Sequence, residues 1–487
     1  MLATPLDLTL VIDIGKSHAK LLLVDDHGSV LEQHGRKNAP VGTALGYSAL
    51  DIGGLTDWIC STLAASRLTP RCARAVTSTH GAAFVGITKE GLAWPPLDYE
   101  CDTYLAQTSA LHHAYQRQRD GFATTRSPDL PVGLNAARQL YWLQHTHPDA
   151  WARTQTLLPY PQYWAWWLSG VAASEVSSLG CHTQLWAPDR QDFSPLAKVQ
   201  GWADKFAPLA PAWEVLGCVR PDLADALHLP RNCQVHVGVH DSNACLARYL
   251  SRTAELTLVS SGTWTVLMAP DASTATLDAQ RDMLCNVNVR GQATPTARFM
   301  GGREFAALLE GAPADLGTLK DAENLLCNHT FALPGFAPQG GPFMHRTGEV
   351  RRAGQPIALQ VLAPAERSAL AALYCAQVTA WLVLQLRPGA TATPTAAPNA
   401  STVIVEGPLA HNHLYLGLLQ ALLPGHTCYA SIDAMEGTAR GAWMLGRREQ
   451  PTASQQLLAA PVYRLNALPA YHARWLKLCL AQSVVTA

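Results

Sequence analysis

The sequence predicts an α/β protein of two similarly built domains with a cleft between them. Two β-turn-β units, one near the start of each half, carry this reading. The length adds to it, because 487 residues exceed the size at which one hydrophobic core keeps growing. The first unit is the β-branched run Leu8 to Ile12, which ends at Asp13-Ile14-Gly15-Lys16-Ser17 and is followed by Ala19 to Asp25 and the turn Asp26-His27-Gly28. Strand, glycine turn and strand make a hairpin rather than the strand-to-helix entry of a Walker loop. The second unit is Glu255 to Val259, the turn Gly262-Thr263 and the run Trp264 to Met268. A boundary near residues 246–252 divides the chain into an N-terminal domain, 1–248, and a C-terminal domain, 249–487. Ligands usually sit in a cleft between two such domains.

Helical segments separate the strands. The aromatic-rich stretch from Tyr160 to Ser169, with Trp164, Trp166 and Trp167, stops at Gly170, a typical terminator. Leu370 to Leu386 places apolar residues at helical spacing, and Arg387 to Ala400 is a Pro/Ala/Thr-rich connector suited to a surface loop. Thr402 to Val405 reads as a buried strand that breaks at Glu406-Gly407-Pro408, and Asn412 to Leu423 as the helix that follows. No short-period repeat is present.

Composition excludes several classes. With 48% hydrophobic and 15% charged residues, the chain is globular rather than disordered. A net charge of -1 offers no field to nucleic acid or anionic lipid. The twelve cysteines contain no Cys-x-x-Cys, so zinc ribbons and thioredoxin-type sites are unsupported and a reducing compartment is expected. No Gly-x-Gly-x-x-Gly or Gly-x-x-x-x-Gly-Lys-Ser/Thr is found, which removes dinucleotide-fold and P-loop readings. The N-terminal residues lack the basic and apolar regions of a signal peptide, and no run of about twenty apolar residues occurs. The expectation is a cytoplasmic protein without a membrane span.

Four short pieces carry chemistry. Gly15, in Asp13-Ile14-Gly15-Lys16-Ser17, lets a backbone approach a phosphate, and Asp13 could hold a hydrated magnesium ion. The same residues also suit an ordinary Asp-Gly hairpin turn. Val237-Gly238-Val239-His240-Asp241 ends an apolar run and opens a helix, so Asp241 is either a general base for a substrate hydroxyl or an N-cap aspartate. A helix N-terminus stabilises a carboxylate; such a weak base serves when the attacking oxygen is already acidified. His240 is either a hydrogen-bond donor to substrate or structural. Ser260-Ser261-Gly262-Thr263 is a second phosphate candidate, abundant in turns generally. Glu406-Gly407-Pro408 with Asn412 is a nucleotide-side loop or a strand end with a cap. One carboxylate facing a phosphate loop suits phosphoryl transfer to an alcohol, which needs positioning, charge neutralisation and one proton acceptor.

In order and spacing these pieces resemble the FGGY carbohydrate kinases, within the actin-like ATPase (ribonuclease H-like) fold. The resemblance covers nearly the whole chain. It rests on Asp13-Ile14-Gly15, Gly238-Val239-His240-Asp241, Ser261-Gly262-Thr263, Glu406-Gly407-Pro408 through Asn412, and Glu436-Gly437-Thr438-Ala439-Arg440-Gly441-Ala442. The segment Tyr163 to Gly170, with Glu175 and Ser177 beyond, also looks like a family helix and its following turn. The likeness implies ATP-dependent phosphorylation of a sugar, with Asp241 as base and magnesium, near Asp13 and Asp241, bridging the phosphates. It implies phosphate and nucleotide contacts at Gly15, Lys16, Ser17, Ser261, Gly262, Thr263, Gly407 and Asn412. The His-Asp pair and the Ser-Ser-Gly-Thr-Trp run are most similar to the kinases of 6-deoxy-ketohexoses, rhamnulose and fuculose, which act at the terminal O1 hydroxyl. Ser78-Thr79-His80-Gly81-Ala82 resembles the substrate loop, and Tyr99-Glu100 falls where Trp-x-Asp is usual, so His80, Gly81, Glu100 and His240 are the sugar-contact candidates.

The chain departs from that pattern at three places. Lys16 stands where threonine is usual, Pro408 replaces a glycine and removes a donor, and Glu100 breaks the aromatic-Asp pattern. A pentulose or polyol kinase, or a sugar- or nucleotide-binding regulator of the same fold, are the alternatives. A regulator would normally carry a helix-turn-helix or a basic face, and neither is seen. Homodimers are common among soluble enzymes of this size, but the sequence has no interface signature.

Overall fold

The computed structural model describes residues 6–101, 109–251, 255–337, 340–388, 401–433, 437–447 and 456–482. It divides into two compact units, Met1–Arg248 with Cys285–Ala293 and Met435–Ser454, and Tyr249–Leu284 with Thr294–Ala434 and Gln455–Ala487.

The first unit is built on a mixed sheet. Strand β1 (Leu8–Ile14) pairs antiparallel with β2 (His18–Val24), which pairs antiparallel with β3 (Val30–Lys37). On its other side β1 runs parallel to β4 (Cys72–Thr79). The sheet continues through β6 (Gln234–His236), parallel to β4, to β5 (Val215–Cys218), which is antiparallel. β1 is buried along its whole length, as a central strand covered on both faces should be. Helix α1 (Tyr160–Ser169) buries Tyr160, Tyr163, Trp164 and Leu168 and ends on Gly170 at φ 78°. The predicted stop therefore acts through a left-handed C-terminal glycine. The short strand β7 (Val239–His240) lies parallel to the end of β4 and leads into helix α2 (Asp241–Ala247).

The second unit repeats the order. Strand β8 (Leu256–Ser261) forms a hairpin with β9 (Thr265–Met268), and β9 pairs antiparallel with β10 (Ala293–Phe299). β8 runs parallel to β11 (Ser401–Glu406), β11 parallel to β12 (His426–Ser431), and β12 antiparallel to β13 (Leu457–Ala459). Helix α3 (Gly301–Leu309) follows β10, and α4 (Pro364–Leu386) forms the helical core. α4 begins six residues before the apolar stretch that predicts it, because Pro364 sits in the first turn and Glu366 accepts from the Ala363 amide, both start signals. By length and apolarity α4 could cross a membrane, but 89% of its most apolar window is buried inside the fold. Helix α5 (His413–Leu422) starts from Asn412 as its N-cap. Helix α6 (Gly437–Leu445) belongs to the first unit. Most of the connector Arg387 to Ala400, and Glu436, lie outside the described residues.

Candidate active site

In the first unit three parallel strands end together. Asp13 and Ile14 of β1 are level with Ser78 and Thr79 of β4, and these with Val239 and His240 of β7. Gly15, His80 and Asp241, each next in the chain, therefore emerge at one sheet edge. The carboxyl ends of parallel strands are where α/β folds bind ligands. Gly238, at φ 85°, permits the bend before β7, where a Cβ would lie 2.1 Å from Thr77 Oγ1.

Asp241 is the first helical residue of α2, and His240 is its N-cap. The side chain is 30% exposed and does not cap the helix; Oδ1 accepts from the Ser242 amide at 2.5 Å and its hydroxyl at 3.2 Å. His240 Nε2 lies 3.2 Å from the same oxygen, and its Nδ1 lies 3.1 Å from Asn243 Nδ2. Burial opposes protonation of His240, yet Cys181, Asp241 and Glu175 outweigh it and hold the imidazole up to about 9. The base candidate thus has beside it a buried imidazole whose proton affinity is raised. Glu175, fully enclosed, accepts from Ser177 Oγ at 2.5 Å and from the Ser178 amide at 3.3 Å, and burial raises it to about 7.

His80 is 7% exposed. Its amide donates to Ile14 O at 2.9 Å, and its ring meets Tyr99 edge-on at 5.5 Å. Burial lowers its proton affinity, with Asp241 pulling the other way. Gly81 leaves no room for a side chain, since a Cβ would lie 2.7 Å from Cys181 Sγ and 2.8 Å from His240 Nε2. Glu100 is exposed at 63% and reaches Lys16 Nζ at 3.3 Å. The buried carboxylate of this loop is instead Asp98, 2% exposed, which sequence reading missed. An aspartate directly after an apolar run, Leu97-Asp98, was the only signal available.

At the β1–β2 turn, Gly15 N donates to His18 O at 2.9 Å, Asn38 Nδ2 to Gly15 O at 2.9 Å, and Asn38 N to Ser17 O at 2.8 Å. This fixes a narrow hairpin whose tip, at Ser17, is exposed. Asp13 is 8% exposed at the end of β1. Among the described residues no group of three or more His, Cys, Asp or Glu is arranged to hold a metal. The carboxylates of Asp13 and Asp241 at this strand edge fit magnesium carried by a nucleotide, which keeps its waters and needs one or two carboxylates at most.

In the second unit Gly262 and Thr263 are exposed at the β8–β9 turn. Ser261 is engaged inward, its Oγ donating to Glu406 O at 2.5 Å and accepting from the Leu409 amide at 3.0 Å. Gly407, at φ 80°, packs so closely that a Cβ would lie 1.9 Å from Ser261 O. Asn412 Oδ1 accepts from the Tyr415 amide at 2.9 Å, so the residue works as the cap of α5. A further residue, unmarked in the sequence reading, is Gly302: a Cβ there would lie 2.2 Å from Gly262 O. The first turn of α3 therefore abuts the hairpin, and α3 has no side-chain cap. Open helical N–H groups beside an exposed Gly-Thr turn suit an anion such as a phosphate.

The fold and this arrangement define the class of two-unit actin-like phosphotransfer proteins. Residues 253–455 match the model of the carbohydrate kinase FGGY C-terminal domain. A carbohydrate kinase from Novosphingobium aromaticivorans is 34% identical, with 98% of this chain and 99% of that one covered at a TM-score of 0.85. An L-fuculokinase from Salmonella typhi is 25% identical over 281 residues, so the match spans 54% of this chain and 56%, little more than half, of that protein. A ligand-bound xylulose kinase from Lactobacillus acidophilus shares the fold at TM-score 0.73 and 15% identity, covering 97% and 96% of the two chains. The chain belongs to the FGGY carbohydrate kinase family.

Proposed function

We propose that the protein transfers the terminal phosphoryl group of ATP to a hydroxyl of a ketose, a 6-deoxy-ketohexose such as L-rhamnulose or L-fuculose. The observation that carries the reading is Asp241, a partly exposed carboxylate at the shared end of three parallel strands, with His240 and His80 beside it. Asp241 accepts the proton of the attacking hydroxyl. The sugar oxygen forms a bond to the γ-phosphorus as the bond from that phosphorus to the β–γ bridging oxygen breaks, and ADP leaves. His240 orients the base and donates to the sugar, and Gly81, having no side chain, lets Cys181 and the His240 ring pack against the strand edge. Ser17 and Thr263 offer hydroxyl donors to phosphates, Gly15 and Gly262, whose amides close their turns on His18 O and Trp264 O, leave room for the phosphates to approach the main chain, and Gly407 and Asn412 shape the nucleoside side. Magnesium, held by the nucleotide with Asp13 and Asp241 nearby, would supply charge neutralisation on the phosphates. The choice of a deoxy-ketose is supported by the partial match to an L-fuculokinase.

The test is ADP release across L-fuculose, L-rhamnulose, D-xylulose, glycerol and gluconate. Turnover is expected with a deoxy-ketohexose; silence across the panel despite ATP binding would defeat the reading. In Asp241→Asn, kcat falls by roughly 10²–10⁴-fold, the range of a lost general base, while ADP affinity measured by calorimetry stays within about twofold. Near-normal turnover by that variant would remove Asp241 from the role.

A further inference from the structure

We propose that Lys16 is a positioning residue for the acceptor sugar, and not a phosphate ligand, because its ammonium locks the loop Asp98–Cys101 against His80. The proposal rests on the functional reading above. It starts from a residue type: where the family pattern has threonine, this chain carries a long, flexible cation.

Lys16 Nζ donates to both oxygens of Asp98, at 2.7 and 2.6 Å, lies 3.3 Å from Glu100 Oε2, and sits 5.2 Å from the centre of the Tyr99 ring. These contacts all fall on Asp98, Tyr99 and Glu100. A phosphate ligand needs an ammonium whose charge is available, whereas two carboxylates already neutralise this one. Asp98 in turn depends on Lys16: it is 2% exposed, and a buried carboxylate is tolerated only with a close cation and hydrogen bonds. Threonine at position 16 is too short to supply either.

The rest of the lock is backbone. Asp98 Oδ1 also accepts from the Glu100 amide at 2.9 Å, the Asp98 amide donates to Ser48 O at 3.0 Å, and the Cys101 amide donates to Asp98 O at 3.0 Å. Tyr99, held between Lys16 and the edge of the His80 ring, carries the constraint to a sugar-contact candidate. Lys16, Asp98 and His80 line one small pocket together with Asn38, Asp51 and Tyr160. The hairpin that carries Gly15 and presents Ser17 to phosphate is thereby coupled through Lys16 to the loop that shapes the acceptor side.

The experiment compares Lys16→Met, Asp98→Asn and the double variant in the full-length protein. Hydrogen exchange of the unliganded protein is read first, since it needs no substrate. In Lys16→Met the Glu100 and Cys101 amides exchange about tenfold faster or more, while amides of β1 are unchanged. With the sugar turned over in the panel, KM for sugar rises about tenfold, and KM for ATP and kcat move less than about threefold. The double variant, which removes both charges, is no worse than the single one, as expected for one coupled pair. Unchanged exchange at Glu100, or a rise in KM for ATP with KM for sugar unmoved, overturns the proposal. If the wild-type protein turns over no sugar, the functional reading fails by itself. Exchange together with ADP calorimetry then decides for Lys16: retained ADP affinity with faster loop exchange supports the lock, and lost affinity overturns it.

Discussion

At the scale of single residues, the site is tuned by what lies beneath it. Glu175 and His240 are both enclosed and both hold protons above their ordinary range, at about 7 and about 9. The directions have a shared consequence for stability. A carboxyl that titrates near 7 when folded and near 4.5 when unfolded binds more protons in the folded state between those values. Stability therefore falls as pH rises from 4.5 through 7. The contribution of His240 is fully present below 6.5 and is lost as pH rises through about 9. Glu175→Gln keeps acceptors for Ser177 and Ser178 without the titration. The expected outcome is that the variant gains on the wild type by on the order of 2–3 kcal/mol between pH 5 and pH 8. Chemical denaturation at the two pH values measures it; parallel pH profiles of the two proteins would show that Glu175 does not titrate in this window.

At the scale of elements, the hairpin and helix of the second unit show how much of the proposed phosphate site is backbone. Gly302→Ala forces a Cβ to within 2.2 Å of Gly262 O and 3.2 Å of Thr263 Cα, both main-chain atoms that cannot swing away. KM for ATP is expected to rise about tenfold and Tm to fall by roughly 2–4 °C for a chain of this size. Gly53→Ala, in a helix where a Cβ meets nothing within 4 Å, serves as the control and leaves both unchanged or raises Tm slightly. Coupled-assay kinetics and thermal scans read the pair. The same region shows what the sequence makes legible. The hairpins at Gly15 and Gly262 were readable because each glycine turn lies between two apolar runs of the same strand-turn-strand pattern, and the stop at Gly170 and the cap at Asn412 because each meets a local backbone demand that few residue types meet. Gly302 was not, because its reason for being glycine is a strand hairpin some forty residues earlier. Asp98 was missed on similar grounds: its burial follows from Lys16, and only the folded chain brings the two together. Asp241 was legible as a helix-start carboxylate but not as the first helical residue of a helix whose N-cap position, His240, makes no side-chain capping bond.

At the scale of the whole molecule, the helix bearing the candidate base depends on residues nearly two hundred positions away. α6 approaches α2 so closely that a Cβ on Gly441 would lie 1.8 Å from Ala244 O. Its Trp443 is 1% exposed, with Nε1 donating to Asp25 O at 3.2 Å. Arg440 Nη1 donates to Gly28 O at 2.9 Å, and Arg447 pairs with Asp26. These contacts tie α6 to the turn after β2 as well as to α2, so the first unit is closed by chain from the far end of the sequence. A fragment of residues 1–248 would lack this helix and expose the apolar faces of α2 and β1 that it covers. It is expected to give no cooperative thermal transition, because removing a buried tryptophan alone costs about 3–5 kcal/mol, a large part of a typical domain's stability. In the full-length protein Gly441→Ala removes no side chain but pushes α6 off α2, and kcat is expected to fall about tenfold with KM for ATP little changed. Circular dichroism melts of the fragment and steady-state kinetics of the variant measure the two effects. A fragment that melts cooperatively, with a Gly441→Ala enzyme of normal kcat, would show that α2 is positioned from within the N-terminal half alone.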